Sequence, residues 1–167
     1  IPKRSASFDV LRRHHPQTTA VVADGLQALA RMAHRAPRLR CEDALHAQRK
    51  YRPPGFIMTF KAYLVEDSPV IRENLVGFLE DVADAEVVAS ASTEEEAVAW
   101  LRQHRDGWDL TIVDLFLKRG NGLGVINACR NRSPHQKVVV LSNYATADMR
   151  DRSTQLGADA FFDKSAE

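Results

Sequence analysis

Cysteine is almost absent from this chain. Cys41 and Cys129 are the only two in 167 residues, and neither sits in a metal-binding spacing. A disulfide framework is thereby excluded, and two isolated thiols fit a reducing cytoplasm. Long apolar runs are missing too. None approaches the roughly 20 residues of a membrane span, so neither a transmembrane segment nor a membrane partner is expected. No apolar signal region follows the basic N-terminus, so secretion is not expected. Aromatic residues make up only 7% and are not interleaved with the early basic residues, which leaves little stacking surface for nucleic acid. Net charge is nearly absent at +1, but that figure hides an asymmetry. Residues 1–57 hold 11 basic and 4 acidic residues, net +7, whereas residues 58–167 hold 12 and 18, net −6. So abrupt a reversal marks two segments of different character.

The first segment, 1–57, is a basic, Ala/Arg-rich extension. One helix is expected over Thr19 to Ala36, with Val21, Val22, Leu26, Leu29, Ala30 and Met32 as its apolar stripe and Pro37 as its stop. A weaker one is expected over Arg38 to Arg52, ending before the breakers Pro53-Pro54-Gly55. So little apolar surface does not support a separate core. The extension therefore reads as flexible or non-native, with the organised domain beginning at Met58. A basic arm for DNA is the alternative.

From Met58 onward strands and helices alternate. Phe60 to Val65 reads as a strand, and Ser68-Pro69 opens a helix with Val70, Ile71, Leu75, Phe78 and Leu79 on one face. Ala85 to Ala91 is a second strand. Ser92 with Glu95 forms a capping box for a helix ending near Arg105, with Ala97, Val98 and Leu101 inward. Asp109 to Asp114 is the third strand, Gly122 to Asn131 a short helix, Lys137 to Leu141 the fourth strand. Ala145 to Leu156 is a helix stopped by Gly157, and Ala160 to Phe162 a fifth, short strand. Near-continuous apolar strands between amphipathic helices predict a doubly wound parallel sheet covered on both faces. The flavodoxin-like strand order 2-1-3-4-5 is expected, with its switch point between strands 1 and 3.

Each strand that flanks this switch point ends in acid. Glu66-Asp67 follows strand 1 and Asp114 follows strand 3, while Ser142 ends strand 4 and Lys164 follows strand 5. Singly these residues have ordinary explanations: a helix cap, a turn serine, a surface lysine. Jointly, in that order at successive strand ends, they have one chemical reading. Three carboxylates tolerate one another when they bind a hard divalent cation, and Mg²⁺ suits a shallow hydrated site. One carboxylate, Asp114, can then accept a phosphoryl group as an acyl phosphate, with catalysis reduced to positioning and charge neutralisation.

These residues resemble a known family. Over residues 59–165, Leu64-Val65-Glu66-Asp67-Ser68, Ile112-Val113-Asp114-Leu115, Val140-Leu141-Ser142-Asn143-Tyr144-Ala145 and Gly157 to Lys164 are similar to a response-regulator receiver domain of two-component signalling. The resemblance implies that Asp114 is phosphorylated by a histidine kinase or histidine phosphotransfer protein. It also implies that Glu66, Asp67, Asp114 and the carbonyl of Phe116 hold Mg²⁺, and that Ser142 and Lys164 bind phosphoryl oxygens. Ser142 and Phe161 would form the two-state switch, and Phe116 and Tyr144, both bulky, would tune the lifetime of the acyl phosphate. The protein would be a signalling phosphoacceptor rather than an enzyme, beyond taking phosphate from small donors and losing it by itself.

The sequence departs from the family in three ways. Lys118 stands where many receivers have proline, followed by Arg119 and a Gly-rich loop. The chain stops at Glu167, about where a last helix begins, so residues 58–167 are expected to lack that helix and the usual homodimer face is left open. No output domain is expected after it. Two further readings are weaker. A haloacid dehalogenase-like phosphatase needs a second Asp two residues after the nucleophile, and Phe116 is there. A receiver that has lost phosphorylation would not need the acid pair, Ser142 and Lys164.

Overall fold

The apolar runs after Met58 pair side by side as one parallel sheet. The computed structural model describes residues 60–82 and 85–164. The basic extension 1–57 with its two expected helices, the start at Met58 and the last helix expected to be missing all lie outside the described residues. Strands β1 (Phe60–Val65), β2 (Ala85–Ala91), β3 (Leu110–Val113), β4 (Lys137–Ser142) and β5 (Ala160–Asp163) alternate with helices α1 (Pro69–Val82), α2 (Glu94–Gln103), α3 (Gly122–Ala128) and α4 (Ala147–Gln155). The order is β2-β1-β3-β4-β5, the flavodoxin-like topology expected from the sequence. Register is level in the middle of the sheet, where Val65 pairs with Val113 and Val113 with Val140.

Alternate strand residues enter two separate cores, because side chains point to opposite faces along a strand. Ala62, Leu64, Ile112, Val139 and Leu141 meet Leu75, Phe78 and Leu79 of α1 on one face. Tyr63, Val65, Val113, Val138 and Val140 meet Ala97 and Leu101 of α2 and Val125 and Ile126 of α3 on the other. Both faces are covered, so the central strands are mostly apolar, with Lys61 of β1 exposed and Thr111 of β3 a buried exception.

Local differences from the sequence expectation have physical causes. Val70 is 67% exposed rather than inward. Five residues before Leu75, it lies about 140° around the helix from it, off the buried stripe. The cap of α2 is shifted by one residue. Thr93 accepts the Glu96 N–H at 3.2 Å, while the Glu96 carboxylate accepts the Ser92 N–H at 3.0 Å. Ser92 is thereby freed for another partner, described below. Helix α3 ends at Ala128 rather than Asn131, because the Arg132 side chain takes the carbonyls of Cys129 and Gln136 at 3.1 and 2.9 Å.

Helix α3 starts in close contact with β3. A Cβ on Gly122 would collide with the carbonyl oxygen of Asp114 and lie 2.7 Å from Leu115 Cα, both backbone atoms that cannot swing aside. Gly122→Ala is expected to destabilise the fold by about 2 kcal/mol, the usual scale of overpacking. The check is a lowered urea midpoint at unchanged m value; an unchanged midpoint would mean that α3 shifts freely.

Candidate functional site

Main-chain pairing continues one residue past the strands and sets the site. The Glu66 N–H donates to Ala91 O at 3.0 Å, Asp114 N–H to Val65 O at 2.9 Å, and Lys164 N–H to Ser142 O at 2.9 Å. The side chains at these positions therefore leave the sheet at its C-terminal edge, on backbone that the ladder holds. The structure brings Glu66, Asp67, Asp114 and Lys164 together there. Lys164 Nζ donates to Glu66 Oε2 at 2.6 Å and to Asp114 Oδ2 at 2.7 Å. Exposures of 1% for Glu66 and 7% for Asp114 place both charges out of water.

The other carboxylate oxygens are held by backbone N–H groups. Glu66 Oε1 accepts from Ser68, Asp114 Oδ1 from Phe116, and Asp67 Oδ2 from Lys118, each at 3.1 Å. The Lys118 ammonium also stands 3.9 Å from Asp67 Oδ2, but its side chain is largely in solvent and screened. Two carboxylates thus share one buried ammonium with Asp67 beside them, and one ligand oxygen from each of the three acids lies within 4.8 Å of the others. An all-oxygen, negatively charged set suits a hard divalent cation of the magnesium or calcium type.

Ser142 is fully buried at the end of β4, between the strands that carry Asp114 and Lys164, and its Oγ accepts the Tyr144 N–H at 3.3 Å. Phe161 is half-buried against the α3 side of the sheet. The Arg150 guanidinium lies 4.7 Å from its ring centroid and donates to its carbonyl at 3.2 Å. Phe116 and Tyr144 are solvent-exposed and meet edge to face, with centroids 4.9 Å apart. Cys129 offers no competing nucleophile. Burial, opposed by Arg132, pushes its thiol up to about 12.

Sequence reasoning missed three supporting residues. Arg72 of α1 donates from one Nη1 to Glu66 O at 3.2 Å and Ser92 Oγ at 2.9 Å. Glu94 of α2 reaches the loop after β3, and Arg150 reaches Phe161. On helix faces these look like ordinary solvated charges, so no local pattern marks them.

Removing Lys164 tests the electrostatics directly. Lys164→Ala strands two buried carboxylates, and a loss of about 3 kcal/mol in unfolding free energy is expected by urea denaturation. A loss well under about 1 kcal/mol would mean that water screens the cluster as it does surface pairs.

The family model described as the response regulator receiver domain matches residues 62–167. Among curated relatives, the protein-glutamate methylesterase/protein-glutamine glutaminase of Nitrosospira multiformis is 34% identical over 86 residues, 52% of this chain and 24% of that protein. The DNA-binding transcriptional activator DevR/DosR of Mycobacterium tuberculosis is 28% identical over 101 residues, 60% of this chain and 46% of that protein. The chain therefore spans less than half the length of either. Among solved structures, the signal receiver domain of the response regulator NarL from Mycobacterium tuberculosis superposes with a TM-score of 0.58 at 22% identity, covering 65% of this chain and 86% of that one. Among the described residues no helix is long and apolar enough to cross a membrane. The strand order, the acids and lysine gathered at the strand ends and the match over 62–167 lead to one conclusion: this chain belongs to the response regulator receiver domain family.

Proposed function

We propose that this chain is the phosphoacceptor of a two-component phosphorelay, with Asp114 as the residue that carries the phosphoryl group. The observation that supports this best is the shared ammonium of Lys164, held between Glu66 and Asp114 beside an acidic cluster. The donor is a phosphohistidine on a kinase or a phosphotransfer protein. An Asp114 carboxylate oxygen attacks phosphorus, the P–N bond breaks, and its electron pair returns to the imidazole nitrogen. Glu66, Asp67, Asp114 and the carbonyl of Phe116 would hold Mg²⁺, whose charge offsets that of the phosphoryl oxygens.

The chain's own residues do the rest. Lys164 is already bound to Asp114 and exchanges a carboxylate oxygen for a phosphoryl oxygen. Ser142 exchanges the Tyr144 N–H for a second phosphoryl oxygen, donating its hydroxyl proton. Phe161, whose ring faces Arg150, follows Ser142 as the reporter of the switch on the far side of β5. The protein then acts by changing partner binding, in the cytoplasm, rather than by turning over a substrate. A second reading draws on the net +7 of residues 1–57. There the same domain switches a DNA-binding regulator, whose salt-dependent binding would vanish on deleting those residues.

With Mg²⁺ and acetyl phosphate, the wild type should gain one phosphoryl group by intact mass, and Asp114→Asn should gain none. A wild type that stays unlabelled, and shows no Mg²⁺-dependent change with beryllofluoride, would sink the reading.

Phe116 and Tyr144 are expected to shield the acyl phosphate from water. Replacing both with small polar residues should speed its hydrolysis about tenfold, equivalent to about 1.4 kcal/mol of barrier. Wild-type hydrolysis already as fast as in the double variant would show that the rings shield nothing.

A further inference from the structure

The loop after β3 carries two groups that the phosphoryl site needs, the Phe116 carbonyl and the Lys118 N–H on Asp67. What holds this loop is a side chain from a helix that contributes no residue to the site. Glu94 opens α2. Its backbone N–H donates to Arg119 O at 3.2 Å, and its carboxylate Oε2 accepts the Asn121 N–H at 2.7 Å. The loop and the first turn of α3 are shaped to receive it. Gly120 has φ +88°, and a Cβ there would collide with Glu94 Cβ and lie 2.7 Å from its Oε2. A Cβ on Gly124 would collide with Oε1 and lie 2.6 Å from the carboxylate carbon. Glycine at 120 and 124 is thus what lets the Glu94 side chain lie against the loop.

The same α2 entrance is tied to the first acid. Arg72 bridges Ser92, two residues before Glu94, to the carbonyl of Glu66. On the other side, Asp67 accepts the Lys118 N–H. A ring of contacts therefore runs Glu66, Arg72, Ser92, Glu94, the 118–121 loop with the first turn of α3, Asp67, and closes at the acid pair. Three loops that would otherwise move independently are joined around the carboxylates.

Resting on the phosphoacceptor reading above, we infer that Glu94 is a positioning residue for the metal-dependent phosphoryl site. Its seat between Gly120 and Gly124 holds the loop that presents the Lys118 N–H to Asp67. It touches no reacting atom. Its effect is on how well the acids are pre-arranged for the cation, the kind of outer-shell support whose loss lowers metal affinity.

The test is calorimetric titration of the full chain with Mg²⁺ alone, together with thermal unfolding and labelling by acetyl phosphate. Glu94→Ala should weaken Mg²⁺ binding about tenfold. At saturating Mg²⁺ it should be labelled at the wild-type rate. Glu94→Gln keeps an acceptor for Asn121 and should bind Mg²⁺ like wild type. Gly124→Ala separates positioning from folding. Alanine favours a helix over glycine, so Tm should hold or rise, yet the displaced carboxylate should weaken Mg²⁺ binding as Glu94→Ala does. The double variant should be no weaker than either single one. Wild-type Mg²⁺ affinity in Glu94→Ala overturns the inference, as does an affinity that merely tracks Tm across the variants. A wild type that binds no Mg²⁺ and takes no phosphate overturns the phosphoacceptor reading and this inference with it.

Discussion

One side chain holds the functional edge of the sheet together. Lys164 follows β5, at the sheet's border, yet its ammonium binds Glu66, which follows β1. Three strand spacings lie between them, about 14 Å along the sheet. Asp114, just past the end of the intervening β3, shares the same ammonium. Backbone ladders hold strands to their neighbours; this ion cluster ties together strands that are not neighbours. It is stable only as a set, because each carboxylate is buried and would be costly without the cation. The same dependence makes it responsive. A new charge at Asp114 changes the balance at Lys164, and through it at both β1 and β5.

The topology explains why the acids can meet at all. Strands 1 and 3 are adjacent in space though separated in sequence, so Glu66-Asp67 and Asp114 arrive level with each other at the switch point. Gly122 completes the arrangement by letting α3 start directly on the backbone of Asp114 and Leu115. Apolar residues pack on both faces of the strand middles, and the acids gather where the strands pass into short loops, whose backbone N–H groups hold them. The ring of contacts through Arg72, Ser92 and Glu94 lies where those loops would otherwise be free to separate.

How much of this was legible in the sequence follows the range of the interaction concerned. The five strands and their order were readable because β1, β3 and β4 are apolar on both faces and only a covered parallel sheet accepts that. Asp114, Glu66, Asp67, Ser142 and Lys164 were readable as a set because each stands immediately after or at the end of a strand. Val70 was misplaced because an apolar residue lying off the buried stripe looks the same in a sequence as one on it. The α2 cap was misread by one residue because both Ser92 and Thr93 can cap and each has a glutamate three residues on, Glu95 or Glu96. Only the third dimension chooses, by giving Ser92 to Arg72 and Glu94 to the loop. Arg72, Glu94 and Arg150 had no signal, since their partners lie far away or are backbone atoms.

Phe116 and Tyr144 show how local geometry couples the rim of the site to its floor. Each stands two residues after a buried residue at a strand end, and each donates its N–H back to that residue's side chain: Phe116 to Asp114 Oδ1, Tyr144 to Ser142 Oγ. The two exposed rings then meet edge to face above them. The placement of the two rings therefore depends on hydrogen bonds to the oxygens of Asp114 and Ser142. An acceptor that draws the Ser142 hydroxyl away, or a change in charge on Asp114, loosens one anchor of the pair. Neither ring is packed in the core: Phe116 is 48% and Tyr144 63% exposed, so these backbone hydrogen bonds and the contact between the rings are what place them.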